Sequence, residues 1–430
     1  MISETRKHER LNSKPTGILA GGGQLPIDIA DAIQRTGRDP HIIALDGVAD
    51  SAVERYSHDR VGLGQLGKII SRLRARGCEE LVIAGHLARP DLFGLRTDLG
   101  FFRHLPRIIR LMRGGDDSVL RKVIRFFEEQ GFEIVGIPDV APGLLAAEGH
   151  LTSQAAIDHA LADARIGLSL VATLGPLDVG QAVVVRDGQV LAVEAAEGTD
   201  GLLQRLPGTT NGARRGVLVK ASKPGQDLRI DLPTVGATTV GECTTAGLAA
   251  IAVEAGRSVI AERTSTLEVA EQHGVAIIGL PSQPPRRGQP EALASHSTPI
   301  ALLSRTRPKG PILRDVRKGL ATIHALAQFA SQQAAIVSRE NVLAIGVGEP
   351  VDQLAQRSLT VRQWSDRKNR RRRGVLVVMN EDLLDDDALT AVNQARLRGI
   401  VIARPTKADQ LERQVRYAND NGLFLVVQSA

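Results

Sequence analysis

Residues 332–357 (QQAAIVSRENVLAIGVGEPVDQLAQR) lie on residues 180–205 (GQAVVVRDGQVLAVEAAEGTDGLLQR) at a constant offset of 152. Self-similarity on this scale means that whatever fold the first segment adopts is available to the second. The match continues downstream: RRGVLVV (372–378) follows RRGVLVK (214–220), RGIVIA follows AAIAVE, and NGLFLVV follows HGVAIIG. In each segment a hairpin pattern leads into alternating helix and strand patterns. The hairpin is clearest in DVGQAVVVRDGQVLAVEAAEGTD, where two apolar runs flank Asp187-Gly188, a strong tight-turn dipeptide. Residues 313–430 are therefore expected to form a degenerate repeat of a second domain at 146–280. Between RRGVLV and the next strand the copy is nine residues shorter, and KPGQDLRIDLPT has no counterpart. MNEDLLDDDALT stands in its place and reads as an acidic cap and helix start. Core strands retained and a specific loop lost is what duplication followed by loss of chemistry leaves behind.

The 430 residues suit two or three domains. Residues 1–15 read as a flexible, basic lead-in. From residue 16 to 145, GILAGG, IDIADAIQRTG and PHIIALDG open a strand–turn–helix–strand series that two further helix–strand units continue, the pattern of a parallel sheet. Residues 281–312, rich in Pro, Ser and Arg, read as a linker. The fold class is α/β. At 43% hydrophobic and 24% charged residues the chain is not disordered as a whole. No run approaches the ~20 uncharged apolar residues of a membrane span. The polar N-terminus lacks the apolar core of a secretory signal, so a soluble, cytoplasmic protein is expected. Two cysteines, Cys78 and Cys243, exclude a disulfide framework and a cysteine zinc site.

Several residues could carry chemistry. Gly21, Gly22 and Gly23 sit between a strand and a helix, where backbone N–H groups and the helix terminus can approach a phosphate. Structural turns use glycine there as well, and GGG is not a spaced GxGxxG. Asp227 and Asp231, with Lys220 and Lys223 upstream, would suit a Mg²⁺–diphosphate site, although two aspartates in a charged loop are often simply solvated. Glu194, Glu197 and Asp200 are candidates of the same kind. The copy keeps acids opposite Glu197 and Asp200 (Glu349 and Asp352) but has Gly346 opposite Glu194. Residues 91–132 hold six of the eight phenylalanines among seven arginines, which suits either an anionic lipid or an amphipathic helix pair covering the sheet. RKNRRRR (367–373) lacks the aromatics of a base-stacking platform and reads as a charged hairpin loop, so no nucleic-acid partner is expected.

Taken in order, GILAGGGQLP, LGQLGKII, AGHLARPDL, RGGDDSVLRKVI, LDVGQAVVVRDGQVLAVEAAEGTD, GVLVKASKPGQDLRIDLPTVG and IAVEAGR resemble the LpxI-type UDP-2,3-diacylglucosamine pyrophosphatases over about residues 17–280. The resemblance implies a Rossmann-like nucleotide-sugar-binding domain (16–145) followed by a catalytic α/β hydrolase-type domain (146–280). It implies Mg²⁺-dependent hydrolysis of UDP-2,3-diacylglucosamine to UMP and 2,3-diacylglucosamine 1-phosphate, a step of lipid A biosynthesis. A non-catalytic binding protein for the same nucleotide-sugar lipid is the alternative. Mapped onto this chain, Gly21–Gly23, Gly85, Arg89 and Asp91 would face the nucleotide sugar. Asp231 would be the principal metal and catalytic residue, supported by Asp227, Lys220, Glu194, Thr199 and Lys223. A lipid substrate implies peripheral contact with the inner-membrane surface. The tail after 280 departs from the family and implies either a monomer with an internal pseudo-dimer or a homodimer.

Overall fold

The computed structural model describes residues 14–86, 116–154, 158–208, 214–284, 299–363 and 372–429. They divide into two compact units that are not consecutive in sequence. The first takes residues up to 148 together with 226–237 and 255–268; the second takes 149–225, 238–254 and 269 onward.

In the first unit, β1 (Thr16–Ala20), β2 (Pro40–Leu45), β3 (Ser57–Val61), β4 (Glu80–Ala84) and β5 (Glu133–Ile134) form one parallel sheet in the order β3-β2-β1-β4-β5. β1 and β2 are buried along their whole length, as strands covered on both faces must be. Side chains alternate across the sheet. Ile18 and Ala20 meet Ile27, Ala30 and Ile33 of α1 (Leu25–Arg35) on one face. Leu19, Ile43 and Leu81 meet Ile69 and Leu73 of α2 (Leu66–Ala75) and Phe127 of α3 (Asp116–Glu129) on the other. The strand order reverses between β1 and β4, so their following chains leave on opposite sides of the sheet, the place where open α/β sheets commonly bind ligands.

The second unit carries two six-stranded sheets. One runs β6 (Gly149–His150), β13 (Ala276–Leu280), β11 (Ala250–Glu254), β9 (Val217–Lys220), β7 (Ala182–Arg186), β8 (Gln189–Val193). The other runs β14 (Ile300–Leu302), β19 (Phe424–Gln428), β18 (Gly399–Ile402), β17 (Val375–Val378), β15 (Gln333–Ser338), β16 (Asn341–Val347). Each has three parallel central strands, an antiparallel hairpin on one side and a short antiparallel edge on the other. Helices α4 (Asp158–Leu174) and α8 (Pro311–Leu326) pack on their own sheets and against each other, and one apolar core runs through both.

Two expectations change. The segment expected to be a linker ends in structure: Ile300–Leu302 pairs with Val426–Gln428 and α8 begins at Pro311. Three apolar residues cannot display a period, and their partner strand lies at the far end of the chain. The second concerns membrane spans. Among the described residues one helical stretch, Asp158–Leu177, is long and apolar enough to cross a membrane. Its apolarity has another cause, because Ala164, Leu168, Leu170, Val171 and Leu174 are core residues.

Candidate active site

The loops after β1 and β4 close on each other. The Gly21 amide donates to the Ala84 carbonyl at 2.8 Å, and Gly22 and His86 exchange two backbone hydrogen bonds of 2.8 Å. A Cβ at Gly21 would lie 2.5 Å from the His86 carbonyl oxygen, and one at Gly85 (φ +91°) would lie 2.8 Å from that of Gly22. Glycine is required here by the approach of two backbones, and the Gly21 and Gly22 N–H groups are committed to the neighbouring loop rather than left for a phosphate. Gly23, at φ +88°, borders open space and leads into α1. Arg89 and Asp91 lie outside the described residues.

Asp227 and Asp231 sit on the same unit as these glycines. Residues 227–231 make a single turn, with the Ile230 and Asp231 amides donating to the Asp227 carbonyl. Ile230 and Leu232 anchor the turn by packing into the two cores flanking the parallel sheet. The two carboxylates differ in surroundings. Asp227 accepts from Arg229 Nε at 2.9 Å, Nη2 at 2.7 Å and the Arg229 amide at 3.1 Å. That fork holds the Asp227 carboxyl below the usual carboxylate range and pushes the guanidinium pKa up. Arg229 also reaches Glu128 on α3 at 2.9 Å. Asp231 accepts from the neutral Gln226 side-chain amide.

A second group lies on the second unit, at the carboxyl ends of its parallel strands. Lys220 closes β9 and is 8% exposed. Burial lowers its pKa, opposed by the negative charges of Glu194 and Asp200. Glu194, at the end of the hairpin, accepts from the Gln181 amide at 2.9 Å and the Thr199 hydroxyl at 3.1 Å. Burial pushes the Cys243 thiol up, so it stays protonated beside the lysine. Lys223 reaches Asp178 at 2.6 Å. Glu254, buried at the end of β11, accepts from the Ser222 amide at 3.0 Å and from the hydroxyls of Ser222 and Ser282. It thereby ties down the chain just after Lys220. Glu254 did not stand out as a sequence, being one polar letter at the end of an apolar strand, and Cys243 entered only as one of two cysteines, in a helix of mixed composition.

The candidate residues thus form two sets: Gly21–Gly23, Gly85, Asp227 and Asp231 on one unit, and Lys220, Lys223, Glu194 and Thr199 on the other. Among the described residues no three or more His, Cys, Asp or Glu side chains gather as a metal cage. The Phe/Arg segment divides. Phe126, Phe127 and Phe132 are core residues in edge-to-face contact, while Arg121 and Arg125 face outward, the pattern of a helix covering a sheet. Phe93, Phe101 and Phe102 lie outside the described residues. Of the basic run, Arg372 is used internally, donating to the Leu397 carbonyl at 3.1 Å and to Asn393.

The descriptions of the LpxI N-terminal domain and the LpxI C-terminal domain match residues 15–144 and 147–278. A UDP-2,3-diacylglucosamine pyrophosphatase LpxI of Caulobacter vibrioides is 40% identical over 273 residues, covering 62% of this chain and 98% of that protein. A murein peptide ligase of Psychrobacter arcticus aligns over 97% of this chain and 91% of its own at 10% identity, but a TM-score of 0.20 gives that likeness no weight. With nearly the whole of the Caulobacter protein matched and both domain descriptions met in order, the chain belongs to the LpxI family.

Proposed function

We propose that this chain hydrolyses the diphosphate of UDP-2,3-diacylglucosamine, releasing UMP and 2,3-diacylglucosamine 1-phosphate, as a step of lipid A biosynthesis in the cytoplasm with peripheral access to the inner membrane. The name of the relative matched across 98% of its length supports the substrate. The observation that carries the chemistry is Lys220, 8% exposed at the carboxyl end of β9, with the charges of Glu194 and Asp200 favouring its protonated form against burial.

In this reaction a water oxygen bonds to one phosphorus while that phosphorus loses its bond to the bridging oxygen. The bond pair leaves with the second phosphate and the water gives up a proton. A fixed cation in a water-poor setting stabilises the charge growing on the leaving phosphate. Lys220 fills that role, and Glu194 and Asp200 oppose its deprotonation. Glu194 is itself oriented by the Gln181 amide and Thr199. Mg²⁺ is commonly held by one or two carboxylates, with water and substrate phosphate completing the shell, and when bound it neutralises the diphosphate. Such a shell fits Asp231, whose neighbour is a neutral amide, better than Asp227, whose oxygens are engaged by Arg229. Asp231 is the residue that would hold it.

The first unit reads as Rossmann-like and the 146–280 segment as the hydrolase-type domain, with 313–430 as its degenerate copy. Shared strand order supports the duplication. So do Gly167 and Gly319, 152 residues apart, where a Cβ would lie 2.5 and 2.3 Å from Val219 and Val377 of the sheet beneath. In the copy, Lys220, Glu194 and Thr199 are replaced by Val378, Gly346 and Val351, and the two valines belong to an apolar core. The pairings Ala182↔Lys220 and Ala334↔Val378 occupy the same register. A lysine site has become a hydrocarbon one.

The test is incubation with UDP-2,3-diacylglucosamine and Mg²⁺ and detection of UMP. Asp231→Asn is expected to abolish turnover with the fold intact. No UMP from the wild-type chain, or near-normal turnover in Asp231→Asn, overturns the function or the assignment respectively.

A further inference from the structure

Glu197 and Arg205 have counterparts 152 residues on, Glu349 and Arg357, and the four side chains meet in a closed ring. Arg357 donates to Glu197 at 3.0 Å and forks onto Glu349 at 2.7 and 3.2 Å; Arg205 lies 3.4 Å from Glu197 and 3.7 Å from Glu349. Each arginine also donates at 2.9 Å to a carbonyl of its own hairpin, Val193 for Arg205 and Ile345 for Arg357, again 152 residues apart. Every contact made by one half is mirrored in kind by the other, the signature of a two-fold interface between like subunits, here within one chain. The same face holds the α4–α8 contact and the neighbouring edge strands β8 and β16. All four side chains are at most 15% exposed.

The ring is not symmetric in strength. Glu197's closest cation comes from the tail, at 3.0 Å against 3.4 Å from Arg205. Glu197 stands in the turn between β8 and α5 (Gly198–Gln204), three residues after Glu194 and two before Thr199, in the stretch that also carries Asp200. Thus a guanidinium on the copy holds the Glu197 side chain in the turn that also carries Glu194 and Asp200, the two acids whose charge favours protonated Lys220.

We propose that Arg357 is a positioning residue for the site on the neighbouring sheet, and that the tail, inert itself, serves as a built-in second subunit that fixes the Glu194–Asp200 turn. The proposal rests on the reading of Lys220 and Glu194 as site residues. The tail's retention follows: the copy has lost the lysine site but kept the interface arginine. The guanidinium matters because it forks onto both oxygens of Glu349 while also donating to Glu197 and the Ile345 carbonyl, four bonds from a planar group, where an ammonium has three N–H donors on one nitrogen and no fork.

The experiment uses the full chain, UDP-2,3-diacylglucosamine and Mg²⁺, with UMP release as readout and circular dichroism as the check on folding. Arg357→Met is expected to lower kcat by about tenfold or more while KM moves less than about threefold, because the loss is of alignment rather than of substrate contact. The double variant Glu197→Gln/Arg357→Met, which also lacks the grip on the turn, is expected to show a kcat no higher than that of Arg357→Met; recovery to within about threefold of wild type would trace the loss to an uncompensated Glu197 carboxylate instead of to alignment and would overturn the proposal. A general loss of structure would show in the circular dichroism and would move KM together with kcat. Lys220→Met separates the two readings. If Lys220→Met is inactive while Arg357→Met keeps wild-type kcat, the positioning role falls and the site stands. If both are fully active, the site reading itself falls. Should Arg357→Met not fold, Arg357→Lys keeps the charge without the fork and must show the same kcat-selective loss; wild-type kcat in that variant overturns the proposal.

Discussion

Replacing Lys220 by methionine is expected to abolish activity and at the same time make the protein more stable. The lysine's pKa is lowered on balance: burial outweighs the attraction of Glu194 and Asp200. A base with a native pKa below its unfolded value is one whose charged form the native environment disfavours. Each unit of depression corresponds to about 1.4 kcal/mol. That cost is fully present at pH values below the native pKa and fades as pH rises toward the ordinary lysine value of 10.5. Methionine has similar length and no charge, and Glu194 keeps its bonds from Gln181 and Thr199. The effective penalty of burying an ion is several kcal/mol, and with Glu194 still hydrogen-bonded after the change the net recovery is on the order of 1–4 kcal/mol. At about 2–4 °C per kcal/mol for a unit of this size, Tm near pH 7 should rise by several degrees. Wild-type stability should also climb toward that of the variant as pH approaches 10. Thermal melts at pH 7 and 9.5 beside a UMP assay make the test. A fall in Tm of several degrees at pH 7 would refute the reasoning, since it would make Lys220 a net structural asset. Val378, at the matching register of the second sheet, is a substitution of this kind already present in the chain.

Three other outcomes follow from geometry already described. Gly85→Ala should cost on the order of 3 kcal/mol and reduce soluble yield, combining left-handed strain with a backbone clash at 2.8 Å, whereas Gly23→Ala, in open space, should cost about 1 kcal/mol; equal denaturant midpoints for the two would contradict this. Arg229 depresses the Asp227 carboxyl, so the stability it contributes is present above its ordinary value of 3.8 and is lost as pH falls through the lower native value. Asp227→Asn should flatten that acid limb in urea titrations between pH 2 and 4 and cost about 1 kcal/mol at pH 7. Phe127→Ala, emptying a fully buried ring position behind the parallel sheet, should cost about 3–5 kcal/mol by the same method, and a change under about 1 kcal/mol would place that ring outside the core.

What could be read in the sequence is what repeats locally. The apolar runs of β1, β2 and β4, the Asp187-Gly188 hairpin and the 152-residue offset are patterns within a few residues or between identical strings, and they mark strands where the structure has them. MNEDLLDDDALT also reads correctly: Asp385 caps α10 (Asp386–Gln394) by accepting from the Ala388 amide. The non-local features were not legible. Two-residue β6 and three-residue β14 exist only because a distant strand offers them an edge. The purpose of Gly21 depends on where His86 arrives, 65 residues later. Phe126 and Phe127 look the same as letters whether they line a lipid groove or a core. Asp227 and Asp231 look alike until Arg229 is seen to fork onto one of them.

The assignment of 226–237 and 255–268 to the first unit bears on how the chain came to its present length. A duplication that copied only the second half would have copied these two excursions without the body they rest on. Ile230 and Leu232 would then have had no cores to enter, leaving apolar side chains in water. The two excursions are where the copy is shorter. Residues 221–236 separate β9 from α6 (Ala237–Thr245), against 379–385 between β17 and α10. Likewise 255–262 separate β11 from α7 (Arg263–His273), against 403–407 between β18 and α11 (Ala408–Asp420). The paired strands β10 (Thr234–Val235) and β12 (Val259–Ile260), which join the two excursions, have no equivalent among the described residues of the copy. On the proposed duplication, exposure of orphaned hydrophobic anchors is by itself a physical reason for the second sheet to carry shorter connections at these two places, whatever chemistry the longer ones serve.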